Sequence, residues 1–299
     1  MIYVLIVILL YIFISYVMFV CIFRVSRNKS FKIIDKNIEK MLLPYKDIVD
    51  KGTAWVENQK KKYIDIKSFD GINLHAMFIS HPKEKGVIIL EHGYRSTKER
   101  DLYSSLYNYY NMGYSLLICD NRGCGKSGGK YITFGYYESR DLDKWVDYIY
   151  KRHKCKILLA GISLGASSVL MVNNKHVKGM LVDSGYTSAY HEIKYCIRHY
   201  FHILPFIFMP MICLYVRLLI GFRLKKCNVL INLGNINIPI LFVHGMSDDF
   251  VPHQNTIQQY NFYNGKKEIL LIPNATHGMG YLVDEETYLN KIKQFLKKI

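Results

Sequence analysis

The first 23 residues, MIYVLIVILLYIFISYVMFVCIF, contain no charged side chain and no alternation of polar with apolar positions. So uniform a run predicts a helix roughly 34 Å long, enough to cross the hydrocarbon core of a bilayer. A cleaved leader would carry a basic start, a shorter apolar core and small residues at the cut. None of these is present, and we expect a retained transmembrane anchor over residues 1–23. Residues 24–61 turn polar, with scattered apolar positions and Pro44, and predict a juxtamembrane arm that is helical in part.

A different rhythm begins near Lys62. YIDIKS alternates, Asp70-Gly71 makes a tight turn, and INLHAMFIS alternates again, the pattern of a β-hairpin. GVIILEHG, YSLLICD, KILLAG, VKGMLVD, IPILFVHG and KEILLIP are short continuous apolar runs, as in parallel strands buried on both faces. Helical stretches lie between most of them. In YESRDLDKWVDYIYKR, for example, Leu142, Trp145, Val146 and Ile149 share one helical face. Strands alternating with helices predict an α/β domain over 62–299, with a mostly parallel central sheet and helices on both faces.

One interval breaks this rhythm. Residues 187–236 hold about fifty residues where one crossover helix would do, and their centre, ILPFIFMPMICLYVRLLIGF, is nearly as apolar as the anchor. A second membrane span there would split one sheet in two and would contain Pro205, Pro210 and Arg217. We expect instead a helical cap over the carboxyl edge of the sheet.

Charge adds a partner and a side. Forty Lys and Arg against twenty-four Asp and Glu give a net charge of +16. The excess is spread along the chain without a basic tract or an RNA-binding signature, which favours an anionic membrane surface over nucleic acid. Arg24, Arg27, Lys29 and Lys32 directly follow the apolar run, so the positive-inside rule predicts a cytoplasmic domain. The seven cysteines form no C-x-x-C pair and read as reduced, mostly buried thiols. No residue pattern calls for a metal or another cofactor, and none fixes an oligomeric state.

Candidate chemistry gathers at the ends of the predicted strands, where open α/β sheets bind ligands. DNRGCGKSGG at 120–129 resembles a phosphate-binding loop, but Asp120 occupies the position of the first required Gly, and its carboxylate would repel phosphate. Gly161-Ile162-Ser163-Leu164-Gly165 lies between a strand and a helix, the context in which G-x-S-x-G forms a strained turn presenting a nucleophilic Ser. A serine hydroxyl needs a base, and the base an orienting carboxylate. His277 follows the last strand. Asp248 and Asp249 follow the strand before it, and Asp183 ends another. The order Ser, Asp, His is the one that accompanies this turn. His92-Gly93-Tyr94 closes the third strand, where a turn can aim the Tyr94 N–H at the site beside the Leu164 N–H, the two donors of an oxyanion hole.

The segments EHGYRS, DNRGCGKSGG, GISLGAS, VDSGYTS, HGMSDDFVP and ATHG together resemble the α/β-hydrolase superfamily. Within it the chain is similar to bacterial membrane-anchored hydrolases of the serine aminopeptidase-like and cinnamoyl-ester-hydrolase-like group. The resemblance covers residues 62–299. It implies an α/β-hydrolase fold with a cap, Ser163 as nucleophile, His277 as base and Asp248 as orienter, since Asp248 fits the family's D-x-x-V-P. Tyr94 and Leu164 would supply the backbone donors, supported by His92, Gly93, Gly161 and Gly165. It makes the Asp120 loop a scaffold bordering the pocket. Leu164 departs from the Met usual in relatives, a change that leaves the backbone donor in place. The implied activity is serine hydrolase chemistry on a small-molecule ester, amide or thioester, with aminopeptidase or acyl-transfer activity, or a non-catalytic tethered module, as alternatives. In the cap, Phe201, Ile203, Leu204, Phe206, Ile207, Phe208, Met209, Met211 and Ile212 crowd together. Those not packed on the sheet should roof Ser163, which predicts a carboxylesterase or lipase-like preference for a medium-chain or apolar acyl group.

Overall fold

The computed structural model describes residues 1–25 and 40–299. Eight strands form one sheet in the order β1-β2-β4-β3-β5-β6-β7-β8. They are β1 (Lys61–Lys67), β2 (Asn73–Ile79), β3 (Val87–Glu91), β4 (Ser115–Cys119), β5 (Ile157–Ile162), β6 (Val177–Asp183), β7 (Ile240–Gly245) and β8 (Lys267–Ile272). β2 runs antiparallel to both of its neighbours, and every other pairing is parallel. β1, at an edge, carries Lys61, Lys62, Asp65 and Lys67, charges that discourage pairing with another sheet.

The continuous apolar runs serve both faces. Ile89, Leu117 and Leu159 point into one core layer, and Ile88, Leu116 and Leu158, their chain neighbours, point into the other. The first layer is closed by α4 (Glu138–His153), α5 (Leu164–Leu170) and α8 (Gln254–Phe262). The second is closed by α2 (Lys46–Glu57), α3 (Tyr103–Asn111) and α9 (Glu285–Leu296). Leu142, Trp145, Val146 and Ile149 form the buried stripe of α4, as their spacing predicts. Within the described part of the expected arm, the main element is α2. It lies so close to α3 that a Cβ on Gly52 would sit 2.5 Å from the Ser104 Cα.

The insertion between β6 and β7 is a helical cap. α6 (Ala189–Phe201) and α7 (Pro205–Tyr215) form a hairpin, and a π turn (Val216–Ile220) extends α7. The apolar centre of this segment therefore belongs to the cap and is not a separate span. α1 (Ile2–Phe23) is a single helix of 22 residues, the one described helix long and apolar enough to cross a membrane. Its carboxyl half does not stand apart from the domain. Phe19 and Phe23 are buried in a third core layer with Phe134, Leu164, Met209 and Ile212. Arg27, Lys29 and Lys32, which carry most of the expected charge bias, lie outside the described residues.

Candidate active site

The parallel strands deliver their carboxyl ends to one edge of the sheet, and the predicted residues meet there. Ser163 turns the chain from β5 into α5 with φ 57° and ψ −116°, a conformation costly for a residue with a side chain. The surrounding glycines make the turn sterically feasible. A Cβ on Gly161 would lie 2.4 Å from Gly165 C, and one on Gly165 would lie 2.3 Å from Glu91 O. Sheet and helix bonds pin the turn: Ser163 N–H donates to Asp183 O at 2.8 Å, and Ser167 N–H donates to Ser163 O at 3.0 Å.

His277, in the loop after β8, reaches both partners. Its Nε2 is 2.8 Å from Ser163 Oγ and its Nδ1 is 2.7 Å from Asp248 Oδ2. With Nδ1–H donating to the carboxylate, Nε2 faces the serine as the acceptor. Ser163 is 5% exposed, while the His277 side chain keeps 23%. Burial by itself would lower the pKa of His277. The hydrogen bond and charge of Asp248 outweigh it, and the net shift is upward from the usual histidine value. Burial would likewise raise Asp248, but hydrogen bonds from His244 and His277 hold its carboxyl well below the ordinary range. Its other oxygen, Oδ1, accepts from Phe250 N–H at 3.0 Å and Val251 N–H at 2.8 Å.

The alternatives to Asp248 lie elsewhere: Asp249 is exposed, and the Asp183 carboxylate is bonded within its own turn. Asp249 contributes its carbonyl to the hydroxyls of Tyr195 and Tyr200. Asp183 accepts from Ser184 Oγ at 2.8 Å and from Tyr288 OH at 3.0 Å, tying down the SGYTS turn.

The His92-Gly93-Tyr94 loop after β3, the candidate oxyanion loop, packs directly on Ser163. A Cβ on Gly93 would come within 3.4 Å of Ser163 Cβ, and the Gly93 N–H donates to Asp101 Oδ2 at 2.8 Å. His92 is fully buried and holds the backbone: its Nδ1 is 3.0 Å from Gly93 O, and its Nε2 accepts from Asn121 N–H at 3.2 Å. The loop after β4 is thereby tied to the oxyanion loop. Asp120 is consumed within it, paired with Lys98 at 2.5 Å and accepting from Lys126 N–H at 2.9 Å. No anion cradle is left there, as the misplaced carboxylate implies. Leu164 N–H belongs to the first turn of α5, where helical amides have no intrahelical acceptor.

Four features escape sequence reading. His244 Nε2 also contacts Asp248 Oδ2, at 3.0 Å, while its Nδ1 lies 2.6 Å from Thr256 Oγ1. Asp101 holds the oxyanion loop. Glu192, on the cap helix α6, is buried within electrostatic reach of His277 and Asp248. Desolvation pushes its carboxyl up to about 7, against the Cys196 hydrogen bond and the His277 charge. The fourth is α1 itself. Tyr94 OH donates to Ile22 O at 2.7 Å, and the Arg95 guanidinium donates to Cys21 O and Arg24 O. The oxyanion loop thus satisfies the open carbonyls at the end of the N-terminal helix, a favourable place for a cation. Only the i, i+4 spacing of His244 and Asp248 gave any signal in the sequence.

Of the cap side chains expected to roof Ser163, only some are turned inward. Met209 and Ile212 are buried with Leu164, whereas Phe201, Leu204, Phe206 and Ile207 are exposed and face outward.

Comparison with known proteins agrees with this architecture. The family described as X-Pro dipeptidyl-peptidase (S15 family) matches residues 70–204. A Bacillus subtilis (strain 168) protein, the uncharacterized YqkD, is 26% identical over 246 residues, spanning 80% of each chain. Among solved structures, the Pyrococcus furiosus esterase Pf2001 superposes with a TM-score of 0.63 at 23% identity. That match covers 80% of this chain and 90% of the esterase. Est1E of Butyrivibrio proteoclasticus, solved with ferulic acid, gives 0.62 at 21% identity over 79% and 98% of the two chains. The sheet order, the elbow at Ser163 and these likenesses together show that the chain has the α/β-hydrolase fold.

Proposed function

We propose that this protein is a serine hydrolase that cleaves carboxylic esters through an acyl-Ser163 intermediate. The observation that carries the reading is the unbroken relay from Ser163 Oγ to His277 at 2.8 Å and on to Asp248 at 2.7 Å. Ser163 Oγ attacks the substrate carbonyl carbon while its proton passes to His277 Nε2. The carbonyl oxygen becomes an oxyanion facing the N–H groups of Tyr94 and Leu164. Collapse expels the alcohol, which takes the proton from the imidazolium, and leaves the acyl group on Ser163. Water then attacks this ester, gives its proton to His277, and the departing Ser163 Oγ recovers it. Asp248 stays ionised throughout, holding the tautomer and the positive charge.

The burial of Leu164, next to Ser163, together with Met209 and Ile212 of the cap supports an acyl group of medium length. A second reading, aminopeptidase-like cleavage by the same triad, draws on Glu192, a buried cap carboxyl within electrostatic reach of the histidine that could receive a substrate ammonium. A panel of p-nitrophenyl esters beside aminoacyl-nitroanilides separates the two. Turnover of esters alone supports the esterase, and turnover of the anilides with loss in Glu192→Gln supports the peptidase.

We read α1 as a membrane anchor and residues 62–299 as the hydrolase domain, with the domain on the cytoplasmic side. A reporter fused after Ile299 tests the side.

A further inference from the structure

The cap has two unlike faces. α6 exposes Lys194, Arg198 and His199. α7 and its π turn expose Phe206 at 70%, Leu218 at 68%, and Leu214 and Leu219 beside them. Large apolar side chains gathered on one face mark a surface that meets something other than water.

α7 is also the cap helix that lies along α1. Tyr11 OH donates to Ile207 O at 2.7 Å, and Tyr215 OH donates to Ile12 O at 3.0 Å. The Tyr11 and Phe208 rings are 5.9 Å apart, and those of Tyr16 and Tyr215 are 5.5 Å apart. The two helices therefore run in the same direction, with α7 flanking α1 from its middle toward its carboxyl end. Both tyrosine hydroxyls find backbone carbonyls across the helix pair, as a medium without water requires. Past Tyr215 the surface changes. Arg217, Arg223, Lys225 and Lys226 are exposed past Tyr215, as Arg24 is past the end of α1. Apolar surface giving way to a band of cations matches an element seated in hydrocarbon with its base among anionic headgroups.

We propose that the outer face of α7 and the π turn is a bilayer-docking surface, continuous with α1. The inference rests on the reading of α1 as a membrane helix, because a span flanked at its middle by α7 takes α7 into the lipid with it. Met209 and Ile212, on the inner side of the same helix, are buried in one cluster with Leu164, the residue next to Ser163. The docking surface and the side packed toward Leu164 are thus opposite sides of one element, and an acyl lipid of the bilayer is the substrate class it serves.

The test uses the full chain in phosphatidylcholine and phosphatidylglycerol vesicles whose acyl chains carry a nitroxide. Phe206→Trp, Leu204→Trp and Leu218→Trp probe the cap face. Ile8→Trp probes α1, and Phe262→Trp, exposed on α8, reports the aqueous background. Emission of the cap-face probes quenched as strongly as that of I8W supports the docking surface. Quenching of I8W alone, with the cap probes at the level of F262W, overturns it and leaves the anchor reading standing. Equal, weak quenching of all five overturns both.

Discussion

His244 Nε2 lies 3.0 Å from Asp248 Oδ2, the same oxygen that accepts from His277 at 2.7 Å. One carboxylate oxygen is held by two imidazoles, and only one of them reaches the serine. His244 is fully buried and also meets Thr256, so it acts as a clamp on the acid. His244→Ala would leave a buried carboxylate and a hydroxyl short of partners, a loss of about 1–3 kcal/mol. We expect a lower denaturation midpoint and a reduced kcat with little change in KM, measured by urea titration and ester kinetics.

The raised pKa of His277 sets the pH profile. The imidazole must be neutral to accept the serine proton, so kcat/KM should rise with pH through a midpoint above the ordinary histidine value. Asp248→Asn removes the group that raises this pKa. The midpoint should move to lower pH while the plateau falls by about 10⁴, by analogy with the loss of the orienting acid in a serine protease. Glu192→Gln should shift the midpoint in the same direction, because its charge also favours the imidazolium, but keep most of the plateau. A pH–rate profile of the three proteins distinguishes these outcomes.

The N-terminal helix should not be removable at Phe23. Sequence alone sets residues 1–23 apart as an anchor, outside the α/β domain expected over 62–299. The structure buries Phe19 and Phe23 and binds Ile22 O to Tyr94 OH. Phe23→Ala should cost about 3–5 kcal/mol, the usual range for a buried Phe. Deleting residues 1–10, which are exposed, should leave ester hydrolysis intact. Thermal melts and activity in detergent check both.

Acyl length should be read mainly in KM. Each methylene enclosed by the roof contributes about 0.8 kcal/mol, so two should tighten apparent binding roughly ten- to twentyfold. An acetyl ester turned over as efficiently as a hexanoyl ester would contradict an apolar acyl site.

What was legible in the sequence followed from local constraints. The β-runs, the face of α4 and the G-x-S-x-G turn depend on residues a few positions apart, and the order of strand ends brought Ser163, Asp248 and His277 to one edge. What was not legible depends on contacts between distant segments of similar composition. Tyr11 and Ile207 are 196 positions apart, and Tyr94 and Ile22 are 72. An apolar helix does not reveal whether lipid, cap or core covers each of its sides. The outward-facing Phe206 and the inward-facing Met209 come from one uniform run for the same reason.

The central claim is that Ser163 is a nucleophile activated by His277. A fluorophosphonate probe incubated with the full-length protein, followed by peptide mass mapping, tests it most directly. The account predicts one adduct, on Ser163, that is absent from Ser163→Ala and strongly slowed in His277→Ala. Labelling that persists in Ser163→Ala, or a wild-type protein that folds yet takes up no probe, would contradict it.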